Sequence, residues 1–213
     1  MSPSKANLTP VTGETAAADL AAARRVLTTA SAALTTLADA LDGDFTRAIG
    51  LMLASKGRVI VSGMGKSGHV ARKIAATLSS TGTPAYFVHP AEASHGDMGA
   101  ITRNDVLVLL SKGGETAELS DLLTYAKRFR IPVIAIACKG DSTLARAADV
   151  ALLLPDAPES CAIGMAPTTS TTMMMALGDA IAVALMERKG FSPDQYRDLH
   201  PGGSLGRALI RVS

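Results

Sequence analysis

The sequence predicts a three-layer α/β/α sandwich with about five parallel strands, and three observations carry that reading. Short β-rich apolar runs recur at Val59–Ser62, Ala85–Val88, Val106–Ser111, Val133–Ala137 and Val150–Leu154. Helical stretches separate most of them, which argues for a parallel sheet covered on both faces. The chain, 213 residues and 47% apolar, is long enough to bury one good core.

Residues 1–14, with Ser, Pro, Thr and Gly, read as a loose leader ahead of a single domain over 15–213. From Thr15 to Leu41 an alanine-rich stretch carries Leu20, Val26, Leu27, Leu34, Leu37 and Leu41 at helical spacing. Glu14 and Asp19 near its start suit the positive end of a helix dipole. A second helix is expected over Asp44–Ser55, and the first strand leads into a helix over Ser67–Ser80. The third strand leads into a helix over Glu115–Phe129 and the fourth into a short turn near Ser142–Ala147. A long helix follows from about Ser170 to Lys189, headed by Met173-Met174-Met175. It and the N-terminal helix are apolar enough to be buried in the core or against partner subunits.

Composition excludes several classes. A formal net charge of +2 with no Lys/Arg run gives no nucleic-acid footprint. Cys138 and Cys161 match no zinc or redox spacing and read as free thiols of a reducing compartment. The N-terminus lacks signal-peptide order, and no apolar run reaches the ~18 residues of a membrane span. The expectation is a soluble, cytoplasmic globular protein without nucleic-acid or membrane partners.

In a parallel sheet, ligands gather where strand ends turn into helix N-termini, so the loops of interest are Ser62–His69, Val88–Gly99, Ser111–Glu118 and Leu154–Thr172. The first carries G-x-G-x-x-G at Gly63, Gly65 and Gly68, overlapping Gly65-Lys66-Ser67. A dinucleotide site needs an acid at the end of the second strand, and Tyr86-Phe87-Val88-His89-Pro90 supplies none. A Walker A loop needs a glycine where Ile60 stands. What remains is a cation and a hydroxyl, Lys66 and Ser67, at a helix N-terminus, or glycines that merely shape a tight turn. Ser111-Lys112-Gly113-Gly114-Glu115-Thr116 and Thr168-Thr169-Ser170-Thr171-Thr172 add hydroxyls, amides and a second cation at the same sheet edge. Together they make a phosphate cradle, although a Thr/Ser run is also an ordinary helix cap. The ligand expected is a small phosphorylated molecule rather than a nucleotide.

SGMGKSGH, HPAEASHGDMG, the loop before GETAEL, GMAPTTSTT and HPGGSLGR, in that order, resemble a sugar isomerase (SIS) domain over about residues 20–210. More closely, they resemble the bacterial arabinose-5-phosphate isomerases. The resemblance implies the SIS fold and interconversion of ribulose 5-phosphate and arabinose 5-phosphate through an enediol. It implies a place in synthesis of the acid sugar Kdo of Gram-negative lipopolysaccharide, and a homotetramer with sites between subunits. No cofactor is required on this reading; zinc, with His89 as a ligand, would be adventitious or inhibitory. The family usually has serine where this chain has Gly113, which removes one hydroxyl from the cradle. Longer members continue past HPGGSLGR into a pair of CBS domains, and regulation through them is not expected for this sequence.

Enediol chemistry needs a base between C1 and C2, proton shuttling at the oxygens, and a charge that steadies the enediolate. The resemblance implicates Lys66, Glu118, Glu159 and His200 as catalytic. Lys66, in the first turn of a helix, is electrostatically misplaced unless an anion is present. Glu118 is expected one turn inside its helix, reaching back over the strand end; Glu159, without the resemblance, is a loop carboxylate. His200 lies outside any periodic segment and is expected as the acid/base, reaching a neighbouring subunit's site. Substrate contacts are expected from Ser67, Gly82, Thr83, His89, Glu92, His95, Ser111, Gly113, Thr116, Thr168, Thr169, Ser170 and Thr171. Lys112 is expected to direct its charge at the same phosphate. Gly82 reads as a helix C-cap at the opposite end of the sheet, contributing only from another subunit. Two alternatives stand beside the isomerase: a non-catalytic SIS module sensing a sugar phosphate or activated sugar, and an SIS isomerase for another phosphosugar, against which HPGGSLGR argues.

Overall fold

The computed structural model describes residues 12–201. Helix α1 (Gly13–Asp39) begins inside the expected leader, because Thr12 caps it by accepting the Thr15 N–H. Helix α2 (Gly43–Ala54) follows, capped by Asp42. The sheet comprises β1 (Val59–Gly63), β2 (Ala85–Phe87), β3 (Val106–Leu110), β4 (Val133–Ala137) and β5 (Val150–Leu153). All neighbours pair in parallel in the order β2-β1-β3-β4-β5. The connecting helices are α3 (Gly65–Ser80), α4 (Pro90–Ser94), α5 (Ser120–Phe129), α6 (Thr143–Ala147), α7 (Thr169–Arg188) and α8 (Pro193–Leu199).

The two-residue period of each strand sorts the core into two layers. Val59, Val61, Val106, Val108, Leu110, Ile134, Ile136, Val150 and Leu152 join the buried residues of α1, α2, α3 and α7. Ile60, Leu107, Leu109, Val133 and Ala135 face the opposite way, onto Ala93 of α4, Leu122 and Ala126 of α5, and Leu144 of α6. Helices therefore cover both faces, and five parallel strands stand where the sequence puts them.

The α7 helix is long and apolar enough to cross a membrane, which no run was expected to be, but half of its most apolar stretch is buried inside the fold. Met173 and Met174 are buried and Met175 is exposed. Gly178 lets α7 lie against Ile74 of α3, where a Cβ would overlap the isoleucine side chain. On α1 only Ala33 and Leu37 are buried, leaving Leu20, Val26 and Leu27 exposed.

The continuous helix expected over Glu115–Phe129 is a correction. Gly114 takes a left-handed φ of +70°, Thr116 is extended, a 3-10 turn spans Ala117–Leu119, and only then does α5 begin. The cause is long-range: the Glu115 carboxylate accepts the Thr143 N–H at 2.7 Å, capping α6 instead of continuing a helix of its own.

Candidate active site

The strand order reverses direction between β1 and β3, so loops leaving these neighbours open a crevice at the carboxyl edge. Gly63 pairs with Leu110, so the Lys66 loop and the Ser111 loop leave the sheet side by side. Gly68 allows α3 to approach β1, since a Cβ there would meet the Gly63 carbonyl. Gly65 turns the chain with φ +56°. No side chain caps α3, so its first-turn N–H groups stay open to an anion. Lys66 is exposed beside them and makes no ion pair among the described residues; Ser67 is partly buried.

The second loop is pre-formed. Ser111 Oγ lies 2.7 Å from Thr116 Oγ1 and accepts the Gly114 N–H at 3.0 Å. Gly113 avoids the left-handed region, and a Cβ there would meet nothing within 4 Å. Gly114 is the opposite case, because a Cβ would overlap the buried Ser142 side chain that caps α6. Gly114→Ala should therefore destabilise the fold by roughly 2–3 kcal/mol, from overpacking plus a strained φ. Chemical denaturation checks this, and an unchanged midpoint would refute the reading.

The third loop is held by Glu159, whose side chain is 2% exposed. One oxygen, Oε1, accepts from Lys112 Nζ at 2.6 Å and from the Ser170 hydroxyl. The other, Oε2, accepts the Thr168 N–H at 2.7 Å, the Ser170 N–H at 3.3 Å and the Thr168 hydroxyl at 3.2 Å. Burial alone would raise this carboxyl, but donation from Lys112, Ser170 and Thr168 holds it at about 2. A carboxylate this acidic stays ionised at neutral pH. It is itself the anion at the N-terminus of α7, where the sequence reading put part of a phosphate cradle. Lys112, expected to face the phosphate, is engaged by the same carboxylate. The remaining hydroxyls also turn inward: Thr169 bonds Ser160 at 3.1 Å, and Thr171 donates to the Thr168 carbonyl at 3.0 Å. Between these residues Cys161 Sγ accepts the Ala166 N–H at 3.0 Å, and backbone donation holds the thiol below its ordinary range. Both cysteines are free.

At the end of β2, a cavity of about 300 Å³ is lined by Arg72, Phe87, His89, Glu92 and Asp97. His89 Nδ1 is buried there with no partner among the described residues, and Arg72 lies 4.0 Å over the Phe87 ring. Glu92 and His95 sit on and just after α4, both exposed. No group of three His, Cys, Asp or Glu among the described residues is spaced to hold a metal. Glu118 lies in the 3-10 turn and is exposed, not one turn inside a helix. A larger cavity of about 630 Å³ lies between α5 and α6 at the amino edge, and no expected site residue lines it.

Gly82 and Thr83 lie apart from these loops. Twenty residues of α7 span about 30 Å, from Thr169 at the carboxyl edge to the amino edge. There Lys189 donates to the Gly82 carbonyl at 3.2 Å and to Thr83 Oγ1 at 2.8 Å. Gly82 has φ +82° just past the end of α3, as a C-cap requires, and Phe191 packs where its Cβ would be. His200 ends α8, a helix the sequence reading missed although Ser192, Pro193 and Gln195 form a capping box with proline at the first turn. Residues 202–207 of HPGGSLGR lie outside the described residues. One chain thus brings Lys66, Ser67, Ser111, Gly113, Thr116, Glu159 and Thr168–Thr171 to one edge, and Gly82 and Thr83 to the other.

An SIS domain family model matches residues 52–184. Over 188 residues the chain is 53% identical to an arabinose 5-phosphate isomerase KpsF of Escherichia coli, covering 88% of this chain and 58% of that protein. It is 55% identical over 167 residues to an arabinose 5-phosphate isomerase KdsD of Pseudomonas aeruginosa, covering 78% of this chain and 51% of that one. The chain therefore spans only a little over half the length of these curated relatives. A solved Escherichia coli protein in complex with arabinose 5-phosphate superposes with a TM-score of 0.83 at 36% identity, covering 85% of this chain and 97% of that one. A family match over more than half the chain, the parallel sheet order and that superposition agree: the chain belongs to the SIS domain family.

Proposed function

We propose that the chain is an aldose–ketose isomerase that interconverts ribulose 5-phosphate and arabinose 5-phosphate through an enediol, feeding Kdo and lipopolysaccharide synthesis. The observation that carries this is the open N-terminus of α3, with Lys66, beside the Ser111–Thr116 hydroxyl loop at the β1/β3 crevice. It offers amides, hydroxyls and one free cation to a small phosphorylated ligand. The likeness to relatives named for this reaction, and to a structure holding arabinose 5-phosphate, supports the same substrate class.

On this reading Lys66 neutralises charge on the phosphate or the developing enediolate. Glu118, exposed just past the hydroxyl loop, is the carboxylate available to move the proton between C1 and C2. Glu159 keeps the loop and α7 in place as a fixed anion. Gly82 and Thr83, at the far end of about 30 Å of α7, belong to the site of a neighbouring copy, and His200 is the acid/base that reaches across to one. A cytoplasmic homotetramer, needing no cofactor and with no nucleic-acid or membrane partner, follows as part of the proposal. Incubation of the purified protein with ribulose 5-phosphate tests it by appearance of the aldose. Binding without turnover would favour a sensing module instead.

The loop departure gives a second test. Gly113→Ser fits without strain, and a neutral hydrogen bond contributes roughly 0.5–1.5 kcal/mol. Affinity for arabinose 5-phosphate should rise about two- to tenfold, measured by titration. Unchanged affinity in a folded variant would move the phosphate away from Ser111–Thr116.

A further inference from the structure

The His200 ring is fixed by two contacts from one residue. It stacks on Tyr196 with ring centroids 4.1 Å apart and planes 18° from parallel. Its Nδ1 also lies 2.8 Å from the Tyr196 backbone carbonyl oxygen. A carbonyl oxygen only accepts, so Nδ1 carries the proton of the neutral ring and Nε2 keeps the lone pair. The support beneath is firm, because the Ser192–Gln195 capping box and an Asp194–Arg197 ion pair brace this short helix. We propose that Tyr196 is a positioning residue for His200, locking the imidazole in the Nδ1–H tautomer so that Nε2 is the atom that takes and returns the proton. An unconstrained histidine side chain favours the opposite tautomer, with the proton on Nε2, so the bond to the carbonyl selects the minority form. The stack supplies the orientation: with the flat Tyr196 face removed, the ring is free to turn away from the carbonyl. The tyrosine hydroxyl has no hydrogen bond among the described residues and plays no part in this.

The inference rests on the isomerase reading for its consequence but not for its geometry, and the test separates the two. Solid-state nitrogen NMR of histidine-labelled protein at about pH 9, above the ordinary histidine range, reports which ring nitrogen is protonated. The chain has four histidines, and a His200→Gln sample identifies the signal of His200. The wild type and Tyr196→Phe should both show Nδ1 protonated and turn over ribulose 5-phosphate alike. Tyr196→Ala should shift the proton to Nε2 and lower kcat by about tenfold or more with KM little changed, since it is orientation that is lost. A wild-type ring protonated on Nε2 would overturn the proposal. So would Tyr196→Ala with the tautomer or the turnover intact, or a loss in Tyr196→Phe equal to that in Tyr196→Ala. The spectroscopic arm needs no substrate. A protein without isomerase activity would therefore sink the functional reading while the tautomer is still decided by its own signal.

Discussion

Replacing Lys66 by alanine is expected to lower turnover of ribulose 5-phosphate by about 10²-fold or more while leaving the fold as stable as before, or slightly more so. The two effects have opposite signs for one physical reason. Lys66 is the second residue of α3, at the positive end of a helix whose first N–H groups no side chain caps. A cation there is disfavoured by roughly 0.3–1 kcal/mol in the ligand-free protein, so alanine relieves a repulsion. With a phosphate or enediolate in the crevice the same charge becomes an attraction, and its loss is felt only in the liganded complex. A drop confined to kcat assigns Lys66 to the enediolate, whereas a rise confined to KM assigns it to the phosphate, which both states share. Thermal unfolding of the same samples is the control. Near-normal kcat and KM in the alanine variant would remove Lys66 from the site, and a marked fall in melting temperature would make it a structural residue.

What could be read from the sequence divides along the range of the interactions concerned. Strand positions were legible because β1, β3 and β4 are short apolar runs buried on both faces, a pattern set by nearest neighbours along the chain. The α3 loop was legible for the same reason, since its glycines and Lys66 are contiguous. The Ser111–Thr116 bond spans five residues and lies within one loop. By contrast, Glu115 leaves its expected helix to cap α6 across 28 residues, and Glu159 meets Lys112 across 47. Neither pairing has a local signature, so Glu115 reads as a helix opener, Lys112 as a phosphate ligand, and Glu159 as a loop carboxylate that only the family resemblance raises to a catalytic one. The α8 helix, by contrast, carries a local signal, the Ser192–Gln195 box with Pro193 in its first turn.

Glu159→Gln should destabilise the protein by about 3 kcal/mol near neutral pH, the scale for depriving the donors around a buried carboxylate of their acceptor. Glutamine keeps the volume but offers one acceptor oxygen, whereas the carboxylate takes donors on both Oε1 and Oε2. Either Lys112 and the Ser170 hydroxyl, or the N–H groups of Thr168 and Ser170, then face an amide NH₂ instead of an acceptor. The pH dependence gives a sharper signature. In the folded protein this carboxyl sits at about 2, below its ordinary 4.5, so the unfolded chain binds the extra proton first as pH falls. Its contribution is fully present above about pH 5 and disappears as pH drops toward 2. At about 1.4 kcal/mol per tenfold change in acidity, that contribution is about 3 kcal/mol. A protonated Glu159 is itself a neutral group of nearly the same shape as glutamine. The stability gap between wild type and variant should therefore be widest near neutrality and close progressively from about pH 5 downward. Urea denaturation of both proteins at a fixed concentration, so that any self-association weighs equally, measures that gap at each pH. A gap that stays constant down to about pH 2.5 would show that the lost interaction is not the ionised carboxylate, and no gap at neutral pH would show that the five donors around Glu159 find other partners.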